Sequence, residues 1–309
     1  MNSVQQADLE CAYGFDAQRV FTEVALGAAM VSSVAGFNHL RRIALAEDDD
    51  YLRLWSGAGH LQTATDIQRQ LLPVRYPEAP GYALHALSVP ALEVGGDYYN
   101  FHWVRNDQLG VIIADVSGKG LPAALVTVML ASTFRLQSWG NLNVAGVLCR
   151  VNDFIRHALR PGTFITCSYG ILDCAAGTWT WARAGHEALA LMRRECPGER
   201  SVEFLTPDGT ALGVLDSAEF RNCLEVQTVP LRRGDEILLF TDGLTEAMGH
   251  SGEEFGMDRI ESELRDYVNR EPVTGGASLV EQLSHAVQHH TKGAPLHDDL
   301  TFVHLGRDV

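Results

Sequence analysis

Aspartates stand at the ends of short apolar runs in four places along this chain, and this pattern restricts both the fold and the chemistry. The segments are Gly95-Gly96-Asp97, Asp115-Val116-Ser117-Gly118-Lys119-Gly120, Thr241-Asp242-Gly243 and His297-Asp298-Asp299. A carboxylate at the edge of an apolar sheet is costly to desolvate unless it is paired or binds a cation. A single such residue is usually a turn former. Four that converge would repel one another, and no basic cluster lies nearby in sequence, so the pattern predicts bound cations.

The order of the predicted elements favours antiparallel sheets. After Pro73, short runs rich in Val, Ile, Leu and aromatic residues alternate with Gly and Asp turns. The predicted strands are 82–89, 97–104, 108–115, 164–172, 178–184, 188–192, 224–230, 236–241 and 300–304, and the predicted helices are 122–137, 144–159, 257–267 and 277–290. Because several strands follow one another without an intervening helix, we expect an α+β sandwich of two antiparallel β-sheets flanked by α-helices (α-β-β-α).

The part of the chain before Pro73 is predicted to be helical. Residues 1–56 form a predicted N-terminal helical segment, in which Asp16 could cap a helix, and residues 57–73 form a second helix. In that second helix Leu61, Ala64, Ile67 and Leu71 recur every three or four residues and share one face. It is either a plain core helix or a connector that couples the N-terminal segment to residues 74–309.

Composition and charge exclude several classes of partner. The chain is 46% hydrophobic and 20% charged, as in globular proteins, and its formal net charge of -15 argues against nucleic acid or anionic lipid as the main partner. The six cysteines form no Cys-x-x-Cys pair, which is typical of reduced thiols in the cytosol. No secretory signal is visible, and the longest apolar run, 24–37, is too short to span a membrane. We therefore expect a cytoplasmic protein without a membrane span.

The oxygen ligands indicate the kind of metal and the kind of reaction. Carboxylates select hard cations such as Mg²⁺, Mn²⁺ or Ca²⁺ and disfavour the Cys and His ligation of Zn²⁺. The acids are too dispersed for a calcium-binding helix-loop-helix motif. Two hard cations sharing a carboxylate suit the hydrolysis of a phosphate ester. His186, in Ala184-Gly185-His186, is either a ligand or acid in this chemistry or, more simply, a turn histidine.

The ordered motifs resemble the PPM (type 2C-like) serine/threonine phosphatases, in the branch of stage II sporulation protein E and the stress-response regulatory phosphatases. Each motif alone is weak, but their order and spacing agree over about residues 60–307. The resemblance is carried by Ile67-Gln68 with Leu71-Leu72-Pro73, Glu93-Val94-Gly95-Gly96-Asp97-Tyr98-Tyr99, the segment 114–120, Ala184-Gly185-His186, the segment 241–247 and Asp298-Asp299-Leu300-Thr301.

The resemblance implies a centre of two Mn²⁺ or Mg²⁺ ions at one end of the sandwich in a phosphatase domain of residues 74–309. Asp115 is then the carboxylate that bridges both ions, and Val116 contributes its backbone carbonyl. Asp242 and Asp298 are ligands of one ion, with Asp299 alongside, and Asp97 binds the other ion or its water. Asp97, Asp115 and Asp242 are the implied catalytic set. The substrate phosphate is expected near Gly118, Lys119 and Gly120, where a helix begins. The implied mechanism is direct attack by a water that bridges the two ions, with no phosphoenzyme.

The chain departs from the wider family at one place. Eukaryotic members have a phosphate-binding arginine shortly before the first acid, whereas residues 90–94 here contain none. The resemblance implies a phosphorylated protein substrate of the anti-sigma-factor antagonist type. It also implies a regulatory or dimerising role for residues 1–56, with activation or self-association acting through residues 1–72.

Two other functions compete with an active phosphatase. One is a catalytically silent regulator that keeps the fold and binds a signalling partner, and the presence of all the expected acids disfavours it. The other is a different two-metal hydrolase such as a nuclease, which the acidic charge balance disfavours. Manganese-dependent hydrolysis of p-nitrophenyl phosphate and a nucleic-acid cleavage assay separate the three.

Overall fold

A computed structural model of the protein describes residues 58–195, 199–270 and 278–308. The predicted N-terminal segment 1–56 lies outside the described residues. The strands are β1 (Tyr82–Val89), β2 (Tyr98–Arg105), β3 (Gln108–Val116), β4 (Ile165–Asp173), β5 (Thr178–Ala184), β6 (Leu189–Glu195), β7 (Glu199–Leu205), β8 (Val226–Pro230), β9 (Glu236–Phe240) and β10 (Leu300–Arg307). The helices are α1 (Ala58–Leu71), α2 (Leu121–Ser138), α3 (Val144–Arg156), α4 (Ser217–Cys223), α5 (Asp242–Thr245), α6 (Gly256–Asn269) and α7 (Leu279–Thr291).

The strands form two five-stranded sheets, and every pairing between them is antiparallel. Sheet I has the order β1-β10-β9-β6-β7, and sheet II has the order β2-β3-β4-β5-β8. Helices cover the outer faces of both sheets. The predicted α+β sandwich of two antiparallel sheets flanked by helices is confirmed.

The described part of the protein has three hydrophobic cores, and they explain why the sequences of the strands are nearly continuous runs of apolar residues. One core lies between the sheets, a second between sheet II and α2 and α3, and a third between sheet I and α6 and α7. In β3, Leu109, Val111 and Ile113 belong to the core between the sheets, whereas Ile112 and Ala114 belong to the core under the helices. Successive side chains of a strand point to opposite faces, and both faces here are covered.

Strand β7 and the short helices α4 and α5 were not predicted, and none of the three has a strong apolar pattern. Strand β7 is the edge strand of sheet I, and its sequence Glu-Arg-Ser-Val-Glu-Phe-Leu mixes charged and apolar residues. Helix α4 has seven residues and buries one of them, Phe220, so no apolar stripe marks it. Its start is fixed by Asp216, whose carboxylate accepts hydrogen bonds from the N–H groups of Ala218 and Glu219.

Helix α1 ends where the sequence requires it to end. The backbone before a proline is disfavoured in the helical region, and α1 stops at Leu71, two residues before Pro73. The side-chain amide of Asn100, on β2, donates to the carbonyl of Leu71 at 3.3 Å. Leu71 and Leu72 pack against the core under α2 and α3. In the described part of the chain, no helix has both the length and the apolar character needed to cross a membrane.

Candidate active site

The strand registers bring the four aspartate segments to one end of the sandwich. In sheet II, Tyr98 of β2 pairs with Ala114 of β3, so Asp97 and Asp115 lie at the same end of this strand pair. In sheet I, β9 and β10 are paired in the same manner, which places Asp242 beside the residues that precede β10. The Thr241 hydroxyl donates to Asp97 Oδ2 at 2.9 Å and joins the two sheets at this end.

Asp97 lies just before β2 and is buried, with 7% of its surface exposed. Burial raises the pKa of its carboxyl well above the usual range, and the neighbouring Asp115 carboxylate raises it further. The hydroxyl of Thr241 opposes this shift by donating a hydrogen bond to the carboxylate. An aspartate in this setting favours a positive ligand.

Asp115 is the penultimate residue of β3 and faces the largest set of carboxylates. The pKa of Asp115 is raised to about 7, first by burial and then by the negative charges of four neighbours, which in order of size are Asp242, Asp298, Asp299 and Glu246. These residues come from segments that lie far apart in the sequence. The fold therefore gathers the acids around Asp115.

Val116 ends β3 directly beside the Gly95–Gly96 turn. Its N–H donates to the Gly96 carbonyl at 3.3 Å. A methyl group added to Gly96 would lie 2.7 Å from the Val116 carbonyl oxygen and 3.3 Å from Asp115 Oδ1. The missing side chain of Gly96 thus leaves room beside two oxygen donors, which is where a close approach requires glycine.

Asp242 begins the short helix α5 directly after β9. Burial raises the pKa of its carboxyl, and Asp298 raises it further, while the N–H of Gly243 and the Lys119 ammonium lower it. Glu246 follows one helical turn later, and its pKa is also raised, by burial and then by Asp242 and Asp298. The negative charges of Asp242, Glu246 and Asp298 therefore act on one another at this end of the sandwich.

Asp298 carries an ion pair with Lys119. The Lys119 ammonium lies 2.9 Å from Asp298 Oδ2 and also donates to the His297 carbonyl. The lysine side chain is half-exposed, at 49%. Gly118 and Gly120, with φ of 99° and 69°, flank this lysine, and α2 begins directly after Gly120.

Asp299 uses both carboxylate oxygens to accept hydrogen bonds from backbone N–H groups. Oδ1 accepts from Ala91 at 2.8 Å, and Oδ2 accepts from Gly96 at 2.6 Å and from Asp97 at 3.4 Å. The side chain is buried. It therefore lies with the predicted ligands in space but is bonded to the loop that precedes β2.

The donor set fits divalent hard cations. All the acids gathered here are oxygen donors, and Asp97, Asp115 and Asp242 all have raised pKa values, so a bound cation would relieve their repulsion. Within residues 58–195, 199–270 and 278–308, no three His, Cys, Asp or Glu side chains form a ready-made metal site. Mg²⁺ commonly takes only one or two carboxylates and keeps several waters.

His186, the histidine singled out in the sequence, is not an exposed acid. His186 is buried, its Nδ1 lies 2.8 Å from the Thr166 hydroxyl, and burial together with the Arg183 guanidinium lowers its pKa to about 3. It is therefore neutral near pH 7. His297 contributes its backbone carbonyl to Lys119.

Three residues beside the site were not among the site residues predicted from the sequence. Glu246 and Glu187 both face Asp242, and their pKa values are raised first by burial and then by that aspartate. Gln68 bonds the backbone of Gly95. Glu246 and Gln68 lie within the motifs that carry the family resemblance. Nothing in the sequence marks Glu187 except its position next to His186.

Comparisons with known proteins agree with this architecture. The stage II sporulation protein E (SpoIIE) family profile matches residues 105–308. Phosphoserine phosphatase RsbU of Bacillus subtilis is 27% identical over 250 residues, which cover 81% of this chain and 70% of RsbU. The SiaA-PP2C domain of Pseudomonas aeruginosa has a TM-score of 0.66 at 25% identity, covering 81% of this chain and 97% of that one. The RsbU and RsbW domains of Rv1364c from Mycobacterium tuberculosis have a TM-score of 0.60 at 26% identity, covering 77% of this chain and 63% of that one.

The fold and the site are those of a PP2C-type phosphatase: two five-stranded antiparallel sheets, helices on their outer faces and acids gathered at one end of the sandwich. Since the family profile covers more than half of the sequence, the resemblance expected from the motifs is confirmed. The chain belongs to the stage II sporulation protein E family. The predicted enzyme class, a phosphoprotein phosphatase, is confirmed with it.

Proposed function

We propose that this chain is a metal-dependent protein serine/threonine phosphatase that uses two Mn²⁺ or Mg²⁺ ions. The observation that supports the proposal is the gathering of carboxylates around the buried Asp115; burial and, after it, the charges of Asp242, Asp298, Asp299 and Glu246 together raise the pKa of Asp115 to about 7. Divalent ions at such a site activate water for hydrolysis and neutralise the charge of the phosphoryl oxygens.

The residues of this chain would hold the ions and orient the site. Asp115 would bridge both ions, Asp242 and Asp298 would bind one, and Asp97 would bind the other or its water. The Val116 carbonyl supplies a further oxygen beside Gly96. Thr241 fixes the orientation of Asp97 through its hydroxyl. Together these groups would hold the ions at one end of the sandwich, where they would bind the phosphoryl group of the substrate.

The substrate is proposed to be a phosphoserine or phosphothreonine on a regulatory partner protein of the anti-sigma-factor antagonist type. RsbU, which is similar over 81% of this chain, is named as a phosphoserine phosphatase. We also propose that residues 1–72 receive the regulatory input, either by self-association or from an upstream activator, and that the protein acts in the cytoplasm.

The function is tested by following phosphate release from a phosphoserine peptide. The full chain treated with EDTA is expected to be inactive, and added Mn²⁺ is expected to restore release. Activity that persists unchanged in EDTA would contradict the metal-dependent reading, and a chain inactive on phosphopeptides and p-nitrophenyl phosphate at all Mn²⁺ concentrations would favour the silent regulator.

Lys119 is proposed to contact the substrate phosphate, in place of the arginine that residues 90–94 lack. Its side chain is half-exposed and that of Asp298 is partly exposed, and an ion pair that is open to solvent is weak enough to be exchanged. A charge-assisted hydrogen bond is worth about 1.5–3 kcal/mol, so Lys119→Met should raise KM for the phosphopeptide roughly ten-fold or more. The same variant should need less Mn²⁺ for half-maximal activity, because Asp298 loses its competing cation.

The matched control is Lys292→Met, because Lys292 is an exposed lysine that follows α7. We expect KM and the Mn²⁺ requirement to stay unchanged in this variant. An unchanged KM in Lys119→Met would remove Lys119 from the phosphate site.

A further inference from the structure

The Gly95–Gly96 turn, which delivers Asp97 to the site, is bonded by side chains from three other elements. Asp299, next to β10, accepts from Gly96 at 2.6 Å. Thr127, on α2, donates to the Gly96 carbonyl at 2.8 Å. Gln68, on α1, bonds Gly95 from the remaining side.

The Gln68 amide pairs with both backbone groups of Gly95. Its Nε2 donates to the Gly95 carbonyl at 2.6 Å, and its Oε1 accepts from the Gly95 N–H at 3.0 Å. One turn earlier on the same helix, the Thr65 hydroxyl donates to the Glu93 carbonyl at 3.0 Å. Helix α1 is thereby joined to the loop before Asp97 by three hydrogen bonds.

Both oxygens of the Asp299 carboxylate accept hydrogen bonds from the same loop. One oxygen accepts from Ala91 and the other from Gly96, with Asp97 N–H more distant at 3.4 Å. A methyl group added to Gly95 would lie 2.2 Å from Asp299 Oδ2, so the turn and the carboxylate are packed in direct contact. The contacts of Asp299 therefore hold the loop before Asp97 from two sides of one carboxylate.

We infer that Asp299 and Gln68 are positioning residues that fix the Gly95–Gly96 turn and thereby Asp97, and that Asp299 is not itself a metal ligand. The inference rests on the proposed function, because it assigns these residues a role toward the same ions. It differs from the role implied by family resemblance, in which Asp299 lies among the ligands. Side chains that orient ligands commonly change metal affinity about 10–100-fold when they are replaced.

The two possible roles of Asp299 predict different effects of its replacement when EDTA has removed the divalent ions. If Asp299 fixes the turn, its loss loosens residues 91–97 even when EDTA removes all divalent ions. A residue that acts only as a metal ligand would leave that loop unchanged in EDTA. Amide hydrogen exchange of a peptide covering residues 90–99 therefore separates the two roles.

The experiment uses the full chain with Asp299→Asn and Gln68→Ala. An asparagine offers one acceptor oxygen and an NH₂ group, so at least one of the two backbone N–H groups loses its partner. In EDTA we expect roughly ten-fold faster exchange in residues 91–97 of both variants, as the loss of such a hydrogen bond would give. In titrations of Mn²⁺ followed by electron paramagnetic resonance, we expect the dissociation constant to rise about 10–100-fold.

Two matched controls share the residue type but not the contact. Gln70 is exposed on the same helix as Gln68, and Asp266 is exposed on α6. Gln70→Ala and Asp266→Asn should leave both the exchange of residues 91–97 and the Mn²⁺ affinity unchanged.

Unchanged exchange of residues 91–97 in Asp299→Asn would overturn its positioning role, and the same result in Gln68→Ala would overturn that of Gln68. Faster exchange spread evenly over the domain would also count against the inference, because it would indicate a general loss of stability. A wild-type chain that neither binds Mn²⁺ nor releases phosphate would refute the proposed function. The exchange results would still decide whether the two side chains fix the turn.

Discussion

Asp115→Asn is expected to lower Mn²⁺-dependent phosphate release on the order of a thousand-fold while the chain stays folded. Asp115 is the carboxylate on which the negative charges of Asp242, Asp298, Asp299 and Glu246 act together. Asparagine keeps the shape but removes the charge that would bridge two ions. Correctly placed divalent ions supply several kcal/mol of transition-state stabilisation, and each 1.4 kcal/mol corresponds to a factor of ten in rate.

The control for this prediction lies on the same strand pair. Asp107 is exposed in the turn between β2 and β3, at the end opposite to Asp97 and Asp115. Asp107→Asn should retain full activity, and Asp242→Asn should lose as much activity as Asp115→Asn. Initial rates with a phosphoserine peptide at saturating Mn²⁺ provide the measurement. If Asp115→Asn kept a tenth of the wild-type rate, a bridging role for this residue would be untenable.

Strands that are buried on both faces could be predicted from the sequence, and they were enough to predict the architecture. Strand β3 is a continuous apolar run because one face meets the other sheet and the other face meets α2 and α3. Strand β7 was missed because this edge strand mixes charged and apolar residues over seven positions and therefore has little apolar signal. A short helix such as α4, which buries one residue, is recognisable mainly through the cap that Asp216 provides.

The positions of the acids could be predicted, but their individual partners could not. An aspartate at a strand end is visible in the sequence, and antiparallel registers then bring such ends together. The bond from Ala91 to Asp299 joins residues 208 positions apart, and it depends on the path of an irregular loop. The sequence gives no sign of that path. For the same reason, the contact between Gln68 and Gly95 could not be derived from the apolar periodicity of α1.

In EDTA, Asp97, Asp115 and Asp242 are expected to contribute a loss of stability as the pH rises from about 4 to about 7, and Mn²⁺ is expected to reverse this contribution. The pKa of Asp115 is about 7 in the fold, against an unperturbed value near 3.8, and the pKa values of Asp97 and Asp242 are also raised. Between these limits the folded state binds more protons than the unfolded state, so the free energy of unfolding falls as the pH rises. Below pH 4 both states are protonated, and this contribution vanishes.

Other acids of the chain have lowered pKa values, Asp173 and Glu236 among them, and they act in the opposite direction. The informative quantity is therefore the difference between wild type and Asp115→Asn in EDTA, measured as the midpoint of thermal unfolding at each pH. Because Asp115→Asn cannot ionise, its advantage over wild type should grow between pH 4 and 7. Mn²⁺ at 100 times its dissociation constant should stabilise the wild type by about 2.7 kcal/mol and the variant by much less. A difference that stays constant with pH would mean that the charges around Asp115 do not repel one another in the metal-free fold.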